Sequence, residues 1–526
     1  MTEPTEPTEN TENTEHSENT GNWAKPADVV GRDREWRLLT SLLHDPSPGM
    51  RLAIVSGRRR HGKSYLLQAL TEAAGGLYVT AVKEEGRILA QQRFARSIAG
   101  HAGVRADALR LGDWEDVLRS ALDVVARRGA PRLLVIDELP YLLDHSPEIP
   151  GLLQLLYDET QRDRGAVPGA RVVLCGSAMS VMHELLSGTQ ALRGRALIDL
   201  RLGPFDYRTS RAFWGIQDPQ TAFSLHAVLG GAPGYRPLAR PAPADGAAGF
   251  DAWVTGTLLE PGRASYTRTE TEYLLREDPR ISQRTLYYDV LTAVARGQHT
   301  PSKIGAALGR ERGAVTHPLD VLESAGYLQR DADILRTRHP VITLTDPVIR
   351  FNQLITLPAA PQIEAGQAAT AWANARHTFQ SNILGPHFEQ LARDWTLRHG
   401  PELLPDVLGG PLGTTEVPDP AAHTKHEVDI LALRPGERPH SPRASIALLG
   451  EAKATVSRRG VKDLERLDHI RGLLTQQGHD ASRAVLALFS LHGFHPDLPR
   501  LARRRGDVLL IDLPALYGTG PVIGGG

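Results

Sequence analysis

Apolar residues recur along this chain in two rhythms. Short unbroken runs bounded by polar or glycine positions predict buried parallel strands, and stripes at three- and four-residue spacing predict the helices between them. The runs are Leu52–Val55, Leu77–Val82, Leu133–Ile136 and Val172–Cys175. Trp36, Leu38, Leu39, Leu42 and Leu43 mark one helical face, and further helical stretches are expected from Tyr65, over Arg93–His101 and over Asp113–Arg127. Strand and helix alternating in this way predict an α/β core with a parallel sheet.

The rhythm changes after about residue 275. Leu286, Val290, Leu291 and Val294 form one stripe, Thr300-Pro301 opens a second helix that Gly309 ends, and Glu311–Ala325 gives a third, ended by Gly326. Tyr327–Gln329 and Val341–Leu344 flank a loop carrying Arg330, Arg336 and Arg338, the pattern of a winged helix. Pro358–Pro361 reads as a linker. Beyond it we expect a helix over Phe388–Leu397, strands Glu427–Leu433 and Ile446–Thr455, a helix over Gly460–Gln476, and strands Val485–Leu491 and Val508–Ile511. At the other end, residues 1–22 repeat Thr-Glu-Pro and Thr-Glu-Asn units that bury too little surface to offset chain entropy, so an acidic disordered tail is expected.

Composition narrows the class. The chain has 526 residues, room for roughly three to four domains, with an ordinary globular balance of 41% hydrophobic and 23% charged residues. Sixty basic residues against 61 acidic leave no global field for nucleic acid, so any basic surface is local. One cysteine, Cys175, excludes an internal disulfide framework and fits a reducing, cytoplasmic setting. No apolar run approaches the roughly 18 residues of a membrane span, and no basic-then-apolar leader opens the chain.

The first chemical constellation follows the first strand. Gly57-Arg58-Arg59-Arg60-His61-Gly62-Lys63-Ser64-Tyr65 has the strand–loop–helix setting of a phosphate-binding loop. Glycines let backbone N–H groups converge on phosphate oxygens, Lys63 reaches the β- and γ-phosphates, and the Ser64 hydroxyl ligates Mg²⁺. The run Leu133–Ile136 ends in Asp137 and Glu138. Asp137 is placed to hold Mg²⁺ through water, and Glu138 to polarise the attacking water. Ser177, at the end of a later strand, is either a γ-phosphate sensor or a plain helix cap before Met179. Arg193 and Arg195 offer either a finger toward the γ-phosphate of the same or a neighbouring copy, or surface ion pairs.

The second constellation lies near the C-terminus. Glu451 and Lys453 share a strand face, as do Glu427 and Asp429, and antiparallel pairing across the Arg434–Arg443 loop brings Asp429, Glu451 and Lys453 together. Two carboxylates can hold Mg²⁺, and the lysine can stabilise charge on a phosphoryl group. The bland reading is an amphipathic hairpin with a salt bridge.

The set GRRRHGKSYLL, LLVIDELPYLL, VVLCGSAMSVM, LRGRALIDLRLGPFDY and LGGAPGY resembles the archaeal-type ATPases, P-loop proteins of the signal-transducing (STAND) branch near AAA+. The resemblance implies ATP rather than GTP as the nucleotide, and a P-loop core over 23–204 after the tail. It also implies a helical lid over 205–275, a winged helix over 276–357 and a C-terminal α/β domain of restriction-endonuclease type over 358–526. LGGAPGY (Leu229–Tyr235) matches a family signature read here as a tight turn between lid helices. Asp429 with Glu451-x-Lys453 resembles the PD-(D/E)xK nuclease core, which adds Glu389 as an upstream helical metal ligand. Val428 replaces the motif's proline. The expectation is an ATP- and Mg²⁺-dependent hydrolase, possible partners being double-stranded DNA and further copies of itself, with the nuclease-like domain either cleaving or inactive. In the winged helix, Arg310, Arg312, Thr316 and His317 are the candidate DNA contacts; a protein–protein spacer is the alternative.

Overall fold

The computed structural model describes residues 23–105, 112–127, 132–162, 169–276, 278, 280–281, 284–337 and 340–524. The expected acidic tail and Arg338 of the expected wing lie outside the described residues. The chain divides into two compact units: residues up to 54, 64–174 and 194–198 form the first, and 55–63, 175–193 and 199 onward the second.

Strands β1 (Arg51–Ser56), β2 (Leu77–Thr80), β3 (Leu133–Asp137), β4 (Arg171–Gly176) and β5 (Ala196–Arg201) form one sheet in the order β2-β3-β4-β1-β5. β3 pairs parallel with β2 and with β4. Every residue of β3 and β4 is buried, which is why these strands read as unbroken apolar runs: a parallel sheet is covered on both faces. Cys175 is one of these buried β4 residues. Arg171 is the polar exception; its guanidinium donates to the carbonyls of Asp45, Ser47 and Gly49, tying the turn before β1 to β4. The first unit's helices include Asp33–Leu43, Arg87–Ala102, Trp114–Arg127 and Ile149–Arg162. Phe94 packs edge-on against Trp114, whose indole N–H reaches Ser146 Oγ at 2.8 Å, so the large ring is buried with its donor satisfied.

In the second unit, helices Tyr207–Trp214, Pro219–Leu229, Ala247–Trp253 and Pro261–Leu275 precede a group of three helices, Arg284–Ala295, Pro301–Ala307 and Arg312–Ser324. Thr300 caps the middle one through Lys303 N–H, with Pro301 in the first turn where its missing N–H is harmless. The three helices and the antiparallel pair β6 (Leu328–Asp331) and β7 (Val341–Leu344) share one apolar core.

The expected linker at Pro358–Pro361 is not a linker. Residues 352–356 form a wide helical turn, 357–359 a bend, and Ala360–Glu364 a short helix that admits Pro361 because its first turn needs no N–H from it. The apolar core runs through this point without a break. Trp253, Phe351, Trp372, Phe379, Phe388, Trp395, Ile430 and Phe489 belong to one cluster, so the helices before and after residue 358 share an interior.

A second five-stranded sheet closes the chain: β8 (Leu412–Asp419), β9 (Thr424–Leu433), β10 (Ile446–Lys453), β11 (Val485–Ser490) and β12 (Val508–Asp512), ordered β12-β11-β10-β9-β8. β10, β11 and β12 pair parallel, whereas β9 is antiparallel to both β8 and β10. The Gly385–Arg398 helix packs on one face with Phe388, Leu391 and Trp395, and the Val461–Gln476 helix on the other with Leu464, Leu467 and Ile470.

Candidate functional site

The Gly57–Gly62 loop is held by contacts that its side chains make within the second unit. Gly57 has φ 155° and lies so close to the 202 carbonyl that a Cβ there would sit 2.4 Å from that oxygen. Gly62 (φ 86°) and Arg60 (φ 69°) are also left-handed, curling the backbone before the Lys63–Ala74 helix begins. The arginines do not crowd this concavity. Arg58 is buried, pairs with Asp346, donates to Gly326 O at 3.3 Å and lies 4.4 Å over the Tyr327 ring. Arg59 stacks 4.3 Å over Tyr273. Arg60 makes a two-pronged pair with Glu270, one arm at 2.7 Å. His61 Nδ1 is 3.0 Å from Leu202 O. The side chains of residues 58–61 are thus all directed to protein partners, leaving their backbone to line the loop's concave side.

The Leu229–Tyr235 signature has a visible job. Gly230 ends the Pro219–Leu229 helix with φ 61°, and the Gly231 carbonyl accepts from Phe205 N–H at 2.8 Å. Gly234 then lies against the phosphate loop, its N–H bonding Arg60 O at 3.0 Å and its missing side chain leaving room for Arg60, whose Cβ would be 2.7 Å from an added methyl. The turn is a strap on the loop rather than a simple connection.

Lys63 is buried, and its amine donates to Arg58 O at 3.2 Å and Ser177 Oγ at 3.1 Å. Ser177 thus faces Lys63, and the following helix starts from Ala178 without a side-chain cap, so the plain capping reading of Ser177 does not hold. Tyr65, by contrast, is half-exposed and bonds Asp28 at 2.6 Å. In the first unit, Asp137 is buried at the end of β3; one carboxylate oxygen accepts from Tyr78 OH and the other from Glu138 N–H at 2.9 Å. Glu138 turns the chain with φ 53°, a conformation that costs a non-glycine residue energy and that clusters at working sites. Ser64, the second residue of the Lys63–Ala74 helix, belongs to the same unit.

The two candidate fingers differ. Arg195 is spoken for: it pairs with Asp158 at 2.9 Å, and this partner holds the Asp158 carboxyl below its usual range. Arg193 is exposed and donates to Gly188 O at 2.6 Å in its own loop.

Near the C-terminus, β9 and β10 pair antiparallel as expected, with Ile430 opposite Gly450. Asp429 Oδ2 accepts from Ala452 N–H at 2.9 Å, and Arg393 donates to Asp429 O at 3.3 Å. Burial raises the Asp429 pKa, opposed by Lys453. Glu389, on the Gly385–Arg398 helix, is pushed up to about 7 by burial and by the Asp429 charge. The two carboxyls line a cavity of about 1100 Å³, together with Glu427, Arg58 and His61. Glu451 is engaged otherwise. One of its oxygens takes Arg466, with Arg459 and Lys453 each at 3.4 Å, while Oε2 is buried without a partner. The expected three-carboxylate set of Glu389, Asp429 and Glu451 is not among the groups whose ligand atoms converge within 4.8 Å among the described residues. The Glu451 carboxylate is held instead by three cations, Lys453, Arg459 and Arg466.

Arg312, Thr316 and His317 on the expected DNA-reading helix, and Arg310 in the turn before it, are exposed, whereas Arg330 pairs with Asp320 and Glu323. Sequence reasoning missed Tyr78, Glu270, Asp346, Arg459 and Arg466. Tyr78, Glu270 and Asp346 act on residues far along the chain, 288 positions away for Arg58 and Asp346, and Arg459 and Arg466 reach Glu451 from beyond its strand; no local pattern announces such pairs. Among the described residues no helix is long and apolar enough to cross a membrane.

No family model matches the chain. An uncharacterized protein of Methanocaldococcus jannaschii, MJECL04, is 22% identical over 372 residues, covering 70% of this chain and 77% of that one. Among solved structures, the Walker-type ATPase PABY2304 of Pyrococcus abyssi is similar at 21% identity and TM-score 0.47, covering 62% of this chain and 97% of its own. The ORC2 protein of Aeropyrum pernix is similar at 13% identity and TM-score 0.38, covering 67% and 96%.

Proposed function

We propose that this chain binds ATP at Gly57–Ser64 and hydrolyses it, and that the bound state of the loop is relayed to the C-terminal half. The observation that carries the reading is a glycine-hinged loop between a buried strand and a helix, whose buried lysine faces inward onto a loop carbonyl and Ser177. Anionic phosphate oxygens are the natural replacement for those two acceptors of Lys63. Backbone N–H groups of residues 58–62 cradle the phosphates, and Ser177 reads the terminal one.

The donors offered for a divalent ion are the Ser64 hydroxyl and the Asp137 carboxylate, an all-oxygen set that suits Mg²⁺. Bound there, the ion supplies neutralisation of phosphate charge. Tyr78 and the Glu138 N–H orient the Asp137 carboxylate, and Glu138 positions the attacking water. With Arg195 paired to Asp158, Arg193 is the candidate finger for the γ-phosphate of the same or a neighbouring copy.

The same reading assigns a lid to 205–275, a winged helix to 276–357 and a nuclease-like domain to 358–526. Exposed Arg310, Arg312, Thr316 and His317 support double-stranded DNA as the partner of the winged helix. Arg58 supports the relay: it leaves the phosphate loop for Asp346, and lines one cavity with Glu389 and Asp429.

For the last domain, cleavage would use Glu389 and Asp429 as oxygen ligands and Lys453 as the charge-stabilising group. One observation favours the second reading, a nucleotide-driven switch without cleavage: Glu451 is neutralised by Arg466, Arg459 and Lys453. The test is phosphate release from ATP, and conversion of supercoiled plasmid with Mg²⁺ or Mn²⁺, by wild type, Glu138→Gln and Lys453→Ala. Loss of phosphate release in Glu138→Gln supports the ATPase. Nicking absent from wild type, or unchanged in Lys453→Ala, selects the switch.

A further inference from the structure

On the opposite face of the C-terminal sheet, three side chains that play no part in the reading above meet at one point. Asp419 is the last residue of β8, His426 the third of β9, and His469 lies on the Val461–Gln476 helix. The β8–β9 register sets the first two: Asp419 opposes Thr424 and Val417 opposes His426, so Asp419 and His426 are diagonal neighbours on the inward face that also carries Val417. The helix crosses this corner, and its end is tied to β8 where Gln477 donates to Pro418 O at 3.2 Å.

The donor atoms converge. Asp419 Oδ2 is 2.7 Å from His469 Nε2 and 3.4 Å from His426 Nε2, and all three ligand atoms lie within 4.8 Å of one another. The other carboxylate oxygen is fixed by Ala422 N–H at 3.1 Å, an outer contact that orients a ligating carboxylate. Asp419 has 4% of its side chain exposed and His426 17%, whereas His469 has 54%. The site is therefore closed on the sheet side and open on one flank.

We infer that Asp419, His426 and His469 bind one Zn²⁺-class cation that clamps the β8–β9 hairpin to the Val461–Gln476 helix. The donor chemistry selects the class. Two imidazole nitrogens and one carboxylate oxygen suit Zn²⁺ and its borderline neighbours, while Mg²⁺ and Ca²⁺ require oxygen shells. A tetrahedral ion with ligand bonds of about 2.0–2.2 Å spaces its donors by roughly 3.3 Å. The two carboxylate–imidazole distances straddle that value, and the outer imidazole, on the exposed side, is free to swing outward by the few tenths of an ångström required. Three protein ligands leave the fourth position to water on the open flank. The fold gains a specific benefit. β8 is the edge of its sheet and has few aliphatic side chains, so a clamp at its end fixes a strand that apolar packing holds weakly.

The test uses the full chain, stripped with a chelator and titrated with ZnCl₂ against a chromophoric competitor. The expected result is one equivalent bound in wild type and in Glu389→Gln. In His469→Ala, a substitution at an exposed position that leaves the core intact, the expected loss of affinity is at least about 10- to 100-fold. Co²⁺ in place of Zn²⁺ should give visible absorption of tetrahedral intensity in wild type and not in His426→Gln. Zinc should raise Tm in wild type and leave Tm of His469→Ala unmoved. The proposal is overturned if wild type binds no zinc, if His469→Ala and His426→Gln bind as tightly as wild type, or if the equivalent is lost in Glu389→Gln instead.

Discussion

Arg58 connects the loop to Asp346 through a buried ion pair, so losing one partner alone should be costly and losing both together nearly neutral. Arg58→Met leaves the Asp346 carboxylate buried without its cation, an effect of about 3–5 kcal/mol in denaturant unfolding. Asp346→Asn keeps the oxygen that caps Ile349 N–H at 2.9 Å, so the double variant should recover most of that loss. At Ser177 the hydroxyl accepts from Lys63, and Ser177→Ala is expected to reduce the ATP hydrolysis rate more than ATP affinity, measured by phosphate release and by calorimetry. Lys63 itself remains bonded to Arg58 O in that variant, which keeps the binding half of the site.

At the scale of elements, the strap formed by Leu229–Tyr235 makes its own prediction. Gly234→Ala places a methyl 2.7 Å from Arg60 Cβ and should weaken ATP binding several-fold although residue 234 belongs to neither strand nor phosphate loop. Gly151→Ala, in the Ile149–Arg162 helix with open space around it, is the matched control and should leave binding unchanged.

A second element-scale prediction concerns pH. His226 and His387 join the Pro219–Leu229 and Gly385–Arg398 helices at 2.9 Å, and burial holds His226 near pKa 4 and His387 well below its ordinary value. Both are neutral when folded and titrate near 6.5 when unfolded. Their contribution is complete above about pH 6.5 and falls as pH drops toward 4, by up to about 1.4 kcal/mol per pH unit for each. Glu389, raised by burial, acts with the opposite sign. The difference between wild type and His226→Gln/His387→Gln therefore isolates the pair: the variant should lose less stability between pH 7 and pH 5 in guanidinium titrations.

What the sequence disclosed follows from where each element lies. β3 and β4 are buried on both faces and their runs were legible, as were the three helices from Arg284 to Ser324 with their cap and glycine stops. β5 was missed because this edge strand alternates Ile198 and Leu200 with Asp199 and Arg201. β8 was missed because Leu-Gly-Thr-Thr-Glu-Val-Pro-Asp carries only two aliphatic residues. The linker expected at Pro358–Pro361 failed because prolines permitted at the start of a helix look, in sequence, like those that break one. The phosphate loop and Asp137 were legible as motifs, whereas the cations on Glu451 and the partners of Arg58 and Arg60 come from the tertiary fold and leave no local signature.

For the whole molecule, the central claim is that a nucleotide triphosphate is held by the backbone around Lys63 and sensed through the loop's arginines. The most direct measurement is the affinity of a non-hydrolysable ATP analogue with Mg²⁺ for wild type and Lys63→Ala, by calorimetry on the full chain. The account predicts saturable one-site binding by wild type and a loss of at least about 100-fold in the variant, since a buried charge-assisted contact to phosphate is removed. Equal affinity in the two proteins, or none in wild type, contradicts it.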